Sequence, residues 1–237
     1  MENLSVEDKK VFADRKRTNI LKGLEQPTLV FLCKIMPKSV TPDMLTVIGM
    51  LGTVVVLIGF LLARHERIFL ILAILGFAIN WFGDSLDGRI AYFRSTPRKW
   101  YGFALDSIMD WLSLVFMGIG YYFYIEDSYK ILVFTFCSAY AWAVIIVHIR
   151  YKITNIYTID TGILGPTEVR VIICLVILAE LIWGGGAKAS HMSPFIIFSV
   201  VVNVILIATN SIDTYKLIKL GDERDKRERE LKESTQK

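Results

Sequence analysis

The chain has 237 residues, of which 54% are hydrophobic, 12% aromatic and only 21% charged, a balance that excludes an ordinary water-soluble domain and reads as an integral membrane protein. Its net charge of +4 sits mainly in segments flanking apolar runs, so it marks topology and contact with membrane lipid rather than with nucleic acid. Cys33, Cys137 and Cys174 are far apart in apolar surroundings, which leaves no disulfide framework and no zinc spacing.

In chain order, residues 1–40 lack the pattern of a signal peptide. The stretch VEDKKVFADRKRTNILKGLEQP mixes Val11, Phe12, Ile20, Leu21 and Leu24 with six Lys or Arg, which predicts an N-terminal amphipathic helix in the headgroup plane; the TLVFLCKIM that follows is too short to span. Thr41, Pro42 and Asp43 form a good helix N-terminus on capping grounds. Six apolar runs follow, at 44–62, 68–82, 103–125, 131–149, 169–183 and 195–212, predicting an all-α protein with six transmembrane helices. All but four of the 27 Lys and Arg (Arg64, Arg67, Lys130 and Lys188) fall before the first run, after the last, or in alternate loops. Both termini are therefore expected to be cytoplasmic. Glu180, at the far end of the fifth run, reads as interfacial, and GGGAKAS as a turn. The expected organisation is a basic interfacial segment at 1–40, a six-helix domain at 41–218 and a charged cytoplasmic tail at 219–237, read as frayed helix or disorder.

The chemistry concentrates in NWFGDSLDGRIAYFRSTPRKWYGFALDSIMDW, where Asp84, Asp87, Asp106 and Asp110 interrupt otherwise membrane-like sequence. A second helix continued to Phe93 outruns the hydrocarbon core of about 30 Å, so Asp84 and Asp87 emerge at the cytoplasmic headgroup level. The third helix starts from that side and brings back Asp106 and Asp110. Gly88 and Ala91 share the stripe of Asp84 and Asp87, while Gly102, Asp106 and Asp110 step by four along one face, so two antiparallel helices can point four carboxylates into one volume. The small residues keep that stripe open to a neighbour or ligand. Each intramembrane carboxylate costs roughly 2.5 to 3.5 kcal/mol on insertion scales, and protonation or divalent cations are two ways to offset this. All-oxygen ligands select hard ions such as Mg²⁺ or Mn²⁺, and two such ions suit in-line displacement at phosphorus.

DSLDGRIAY, nine residues, then GFALDSIMD resembles the signature of the CDP-alcohol phosphotransferase family, DxxDGxxAR followed by GxxxDxxxD. The resemblance implies transfer of a substituted phosphoryl group from a CDP-linked donor, CDP-diacylglycerol being favoured over a CDP-linked head group, to an alcohol, with CMP leaving, in phospholipid synthesis. It implies metal ligation by Asp84, Asp87, Asp106 and Asp110, with Asp110 also the general base for the acceptor hydroxyl. It implies nucleotide contacts at Gly88, Ala91 and Gly102, with the segment of Asp43 bordering the nucleotide site, and Glu168 and Arg170 in GPTEVR as head-group contacts. A homodimer in a bacterial or archaeal cell membrane is expected, with the active site at the cytoplasmic face. Tyr92 stands where the signature has Arg, and Arg94 is expected to take over as a substrate-binding cation. His148, Arg150 and Lys152 read as positive-inside anchors near the same surface, and Trp81, Tyr92, Trp100 and Tyr101 as an aromatic belt. The rival readings are an ion-coupled transporter, which would spread its acids along a path, and an inactive interaction protein.

Overall fold

The computed structural model describes residues 20–154, 165–184 and 193–235. Among the described residues seven α-helices carry the fold: α1 (Lys22–Ile35), α2 (Pro42–Ala63), α3 (Leu70–Phe93), α4 (Lys99–Tyr124), α5 (Lys130–Thr154), α6 (Pro166–Trp183) and α7 (Pro194–Thr235). Short 3₁₀ turns, Arg67–Phe69 and Asp127–Tyr129, lead into α3 and α5. No strand occurs among the described residues, in keeping with the all-α expectation. Five helical stretches among the described residues are long and apolar enough to cross a membrane: Pro42–Ala63, Arg67–Phe93, Lys99–Tyr124, Asp127–Thr154 and Pro194–Ser234. The remaining expected span, α6, has 18 residues and includes Glu168, Arg170 and Glu180, so it is not among the five.

The tightest packing joins α2 to α3, and glycine makes it. A Cβ on Gly76 would lie 2.6 Å from the Val56 backbone nitrogen, and one on Gly59 would lie 2.5 Å from that of Ala73. Gly52 meets Asn80 and Gly83 meets Gly49 in the same way. Small residues at helix contacts let backbones approach closely in a membrane, where apolar burial alone does not hold helices together. The pairing of Gly83 with Gly49 sets the depth of the next residue, Asp84.

Two apolar clusters bracket this pair. Leu29 and Cys33 of α1 pack with Leu45, Leu86 and Ile90 at one end. Val56, Phe60, Leu70, Phe77, Tyr124, Ile177 and Phe195 close the other. Polar contacts reinforce α1: the Leu21 amide donates to Glu168 (2.7 Å) and the Thr167 hydroxyl to Glu25 (3.0 Å), with Arg89 3.9 Å from Glu25. The amphipathic reading of residues before Ile20 lies outside the described residues. As expected, Thr41 caps α2, its side chain accepting from the Met44 amide at 3.2 Å.

Contacts of α6 run between the two clusters. Near its start Arg170 pairs with Asp84 at 2.6 Å; near its end Glu180 accepts from the Tyr124 hydroxyl (3.2 Å) and the Phe195 amide (3.3 Å). Arg67 donates to the carbonyl of Gly184. Glu180 is 1% exposed, its carboxylate held by donors from α4 and α7 rather than left at a solvated helix end. The segment read as a turn lies outside the described residues apart from Gly184.

The C-terminal residues depart from the frayed or disordered tail expected of them. α7 is one helix of 42 residues, about 63 Å at 1.5 Å per residue. Pairs one turn apart, Lys226 with Asp222 (2.7 Å) and Arg224 with Glu228 (2.9 Å), support its polar end. Arg224 also donates to the Lys152 and Ile153 carbonyls in the last turn of α5.

Candidate active site

Asp84 comes from α3 and Asp106 and Asp110 from α4, and each offers one oxygen within 4.8 Å of the other two. Asp87 stands beside this trio. Its Oδ2 accepts from the Thr46 hydroxyl of α2 at 2.7 Å. All four carboxylates line one small cavity together with Thr46, Gly49, Asn80 and Ser113. The expected convergence of two helices is therefore found, with three acids meeting closely and the fourth tied to a third helix. Arg170 puts one positive charge against Asp84. Four carboxylates in one partly dehydrated place form an all-oxygen donor set of the kind that suits a hard divalent cation.

A larger cleft of about 180 Å³ adjoins this cavity, sharing Thr46, Asp87 and Asp106 with it. Asp43, Gly88, Ala91 and Gly102 all line it. A Cβ on Gly88 or Gly102 would meet nothing within 4 Å, so these two glycines differ from those between α2 and α3. They form an open wall where a ligand can reach helix backbone. Tyr92, the residue in place of the signature Arg, also faces the cleft. So does Arg98, which donates to Asp43 across the mouth and lies over the Tyr101 ring at 4.1 Å. Cation and ring together hold the guanidinium in place.

Two expected substrate residues have other partners. The Arg94 guanidinium donates to the carbonyls of Pro37 (2.8 Å) and Val40 (2.5 Å), fastening the connection between α1 and α2. Glu168 accepts from the Leu21 and Gly165 amides (2.7 and 3.0 Å), which caps α6 and grips the start of α1. Arg150 lies 3.7 Å from Asp213. His148 donates from Nδ1 to the Val144 carbonyl (2.8 Å), since a carbonyl only accepts, and presents Nε2 to the Ser107 hydroxyl at 3.1 Å. Thr46 and Asn80 had no signal in the sequence, and Arg98 was legible only as a basic residue near the aspartates and not as part of the cleft. Thr46 sits one turn beyond Pro42 on the helix the caps had already located, and Arg98 follows Pro97 at the start of α4, but neither carries a motif of its own.

No curated protein matches the chain at a significant level. The family model of CDP-alcohol phosphatidyltransferase matches residues 39–210, a segment that runs from just before the Thr41 cap into α7. It takes in the four aspartates, both walls of the cleft and Arg170. Over most of its length, then, this chain belongs to the CDP-alcohol phosphatidyltransferase family, whose members transfer a phosphoryl group from a CDP-alcohol.

Proposed function

We propose that the chain is a metal-dependent phosphatidyltransferase that moves a phosphatidyl group from CDP-diacylglycerol to a small alcohol in phospholipid synthesis. The observation that supports this best is the trio of Asp84, Asp106 and Asp110 within 4.8 Å, opening beside a cleft walled by Gly88 and Gly102. Asp84, Asp87, Asp106 and Asp110 would hold Mg²⁺ or Mn²⁺, two ions in this reading. When bound, these supply the positive charge that the donor diphosphate and departing CMP require.

The protein's own groups divide the remaining work. Gly88, Ala91 and Gly102 admit the nucleotide to helix backbone, with Asp43 and Arg98 at the mouth. Arg170 holds Asp84 in place, and Glu168 fixes the helix that carries Arg170. Asp110 takes the proton of the acceptor hydroxyl as its oxygen forms a bond to the phosphatidyl phosphorus. The bond from that phosphorus to the CMP oxygen breaks, and CMP leaves with the electron pair. A proton accepted at Asp110 and a phosphate anion released keep the step balanced.

The reading includes six spans, with both termini and the site at the cytoplasmic face of a bacterial or archaeal membrane, and a homodimer as the working assembly. α6 supports the sixth span: about 27 Å long at 1.5 Å per residue, it has Asp84 at one end and Tyr124 at the other. Its charged residues find protein partners rather than lipid. Purified protein offered CDP-diacylglycerol, CDP-choline or CDP-ethanolamine with a panel of alcohols, with and without Mg²⁺, should release CMP only with the first donor and the ion. Release from a CDP-linked head group with diacylglycerol would move the assignment to head-group transfer, and no release with any pair would remove the enzyme reading.

A further inference from the structure

One helical turn below Asp84, on the same stripe of α3, lies Asn80. Its side chain is 4% exposed. The amide Nδ2 donates to the Gly49 carbonyl (3.2 Å) and to Thr53 Oγ1 (3.1 Å). Because the Gly49 carbonyl can only accept, the orientation of the amide is settled, and Oδ1 is the end turned away from those partners. No donor among the described residues reaches that oxygen. A buried amide oxygen without a hydrogen bond is an uncommon and costly feature that calls for an explanation.

The surroundings suggest one. Asn80 lines the same small cavity as Asp84, Asp87, Asp106 and Asp110. That cavity measures about 10 Å³, at the lower limit of what admits a single water molecule. An amide oxygen and a carboxylate are both acceptors, so whatever joins them must donate at both ends. Water is the smallest neutral molecule that does so.

We infer that Asn80 is a positioning residue for the cation site. Its Oδ1 accepts from a water on the cavity floor, and that water donates its other hydrogen to Asp84 one turn above, holding the carboxylate at the angle a divalent cation needs. The inference rests on the metal-dependent reading above and adds to it a contact that lies outside the four-aspartate pattern.

The test is Mn²⁺ affinity, read by electron paramagnetic resonance titration of the full-length protein in detergent with CDP present. Asn80→Ala should bind Mn²⁺ about ten-fold or more weakly, as losses beside metal ligands do. A residue needed only for packing would lower the melting temperature of Asn80→Ala equally with and without Mn²⁺ and leave the affinity alone, and that result overturns the inference while sparing the metal-dependent reading. Wild-type protein that binds no Mn²⁺ overturns both. Should Asn80→Ala not purify folded, a high-resolution map of the wild type with Mn²⁺ and CDP decides: density within hydrogen-bond distance of Oδ1 sustains the inference, and a dry cavity there ends it.

Discussion

At the scale of single residues, the four aspartates were legible because helical spacing alone puts Asp106 and Asp110 on one face and Asp84 and Asp87 on another. Asp110 is the residue on which the chemistry depends most, and Asp110→Asn tests it with the smallest change of shape. Losing a general base costs roughly 10²- to 10⁴-fold, so CMP release should fall by at least the lower figure while CDP binding, followed by calorimetry, persists. Turnover at the wild-type rate would remove Asp110 as the base. Which cations line the cleft was not legible. Arg94 was placed by continuing the helix past its end, but α3 stops at Phe93 and Ser95 turns at a φ of 57°. The chain therefore leaves the helical projection at that point, and Arg94 reaches the carbonyls of Pro37 and Val40. Arg98 lines the cleft instead. Its removal should raise the KM for the CDP-linked donor with kcat little changed, the pattern of lost uniform binding. Arg94→Ala should act mainly on stability; the reverse assignment of effects would restore Arg94 as the donor cation.

At the scale of elements, composition and apolar run length located the apolar parts of α2 to α7, since a span is a matter of length and hydropathy, but not the course of α1 or the polar continuation of α7. What they did not reveal is which glycines are contacts and which are openings. Gly83 and Gly88 stand five residues apart on α3 and look alike in sequence. A Cβ on Gly83 meets the Gly49 and Leu45 backbone, whereas one on Gly88 meets nothing within 4 Å. The difference comes from α2, a partner helix whose approach no single segment encodes. Gly83→Ala must push α2 and α3 apart beside Asp84, and overpacking of this kind costs about 1–3 kcal/mol. A lower melting temperature in detergent and lost activity should appear together. Gly88→Ala should melt like wild type and show its effect in donor KM, because the added methyl projects toward the cleft. Equal melting losses in both variants would mean that the open wall at Gly88 is closed by packing in the working protein.

At the scale of the whole molecule, the number of spans turns on α6. Counted by composition, α6 falls outside the set that crosses, because Glu168, Arg170 and Glu180 lower its hydropathy. Each of these charges, however, has a protein partner: Leu21 and Gly165 for Glu168, Asp84 for Arg170, Tyr124 and Phe195 for Glu180. Charged side chains paired within a bundle are the kind a membrane tolerates. Tyr124 closes α4 at the end opposite Asp106, and Asp84 lies in the part of α3 that meets Asp106, so α6 runs from the aspartate site to the far end of α4, about 27 Å against about 39 Å for α4 itself. Span parity makes this testable. With six spans, residues before α2 and at the end of α7 share a side; with five, they lie on opposite sides. Single cysteines introduced as Lys38→Cys and Glu230→Cys, in a background with Cys33, Cys137 and Cys174 replaced, should both react with an impermeant maleimide in inverted membrane vesicles and not in right-side-out ones. Asp127→Cys, before α5, should show the opposite pattern. If Lys38→Cys and Glu230→Cys label from opposite sides, α6 lies within one leaflet or along the surface, and the cytoplasmic placement of both termini is wrong.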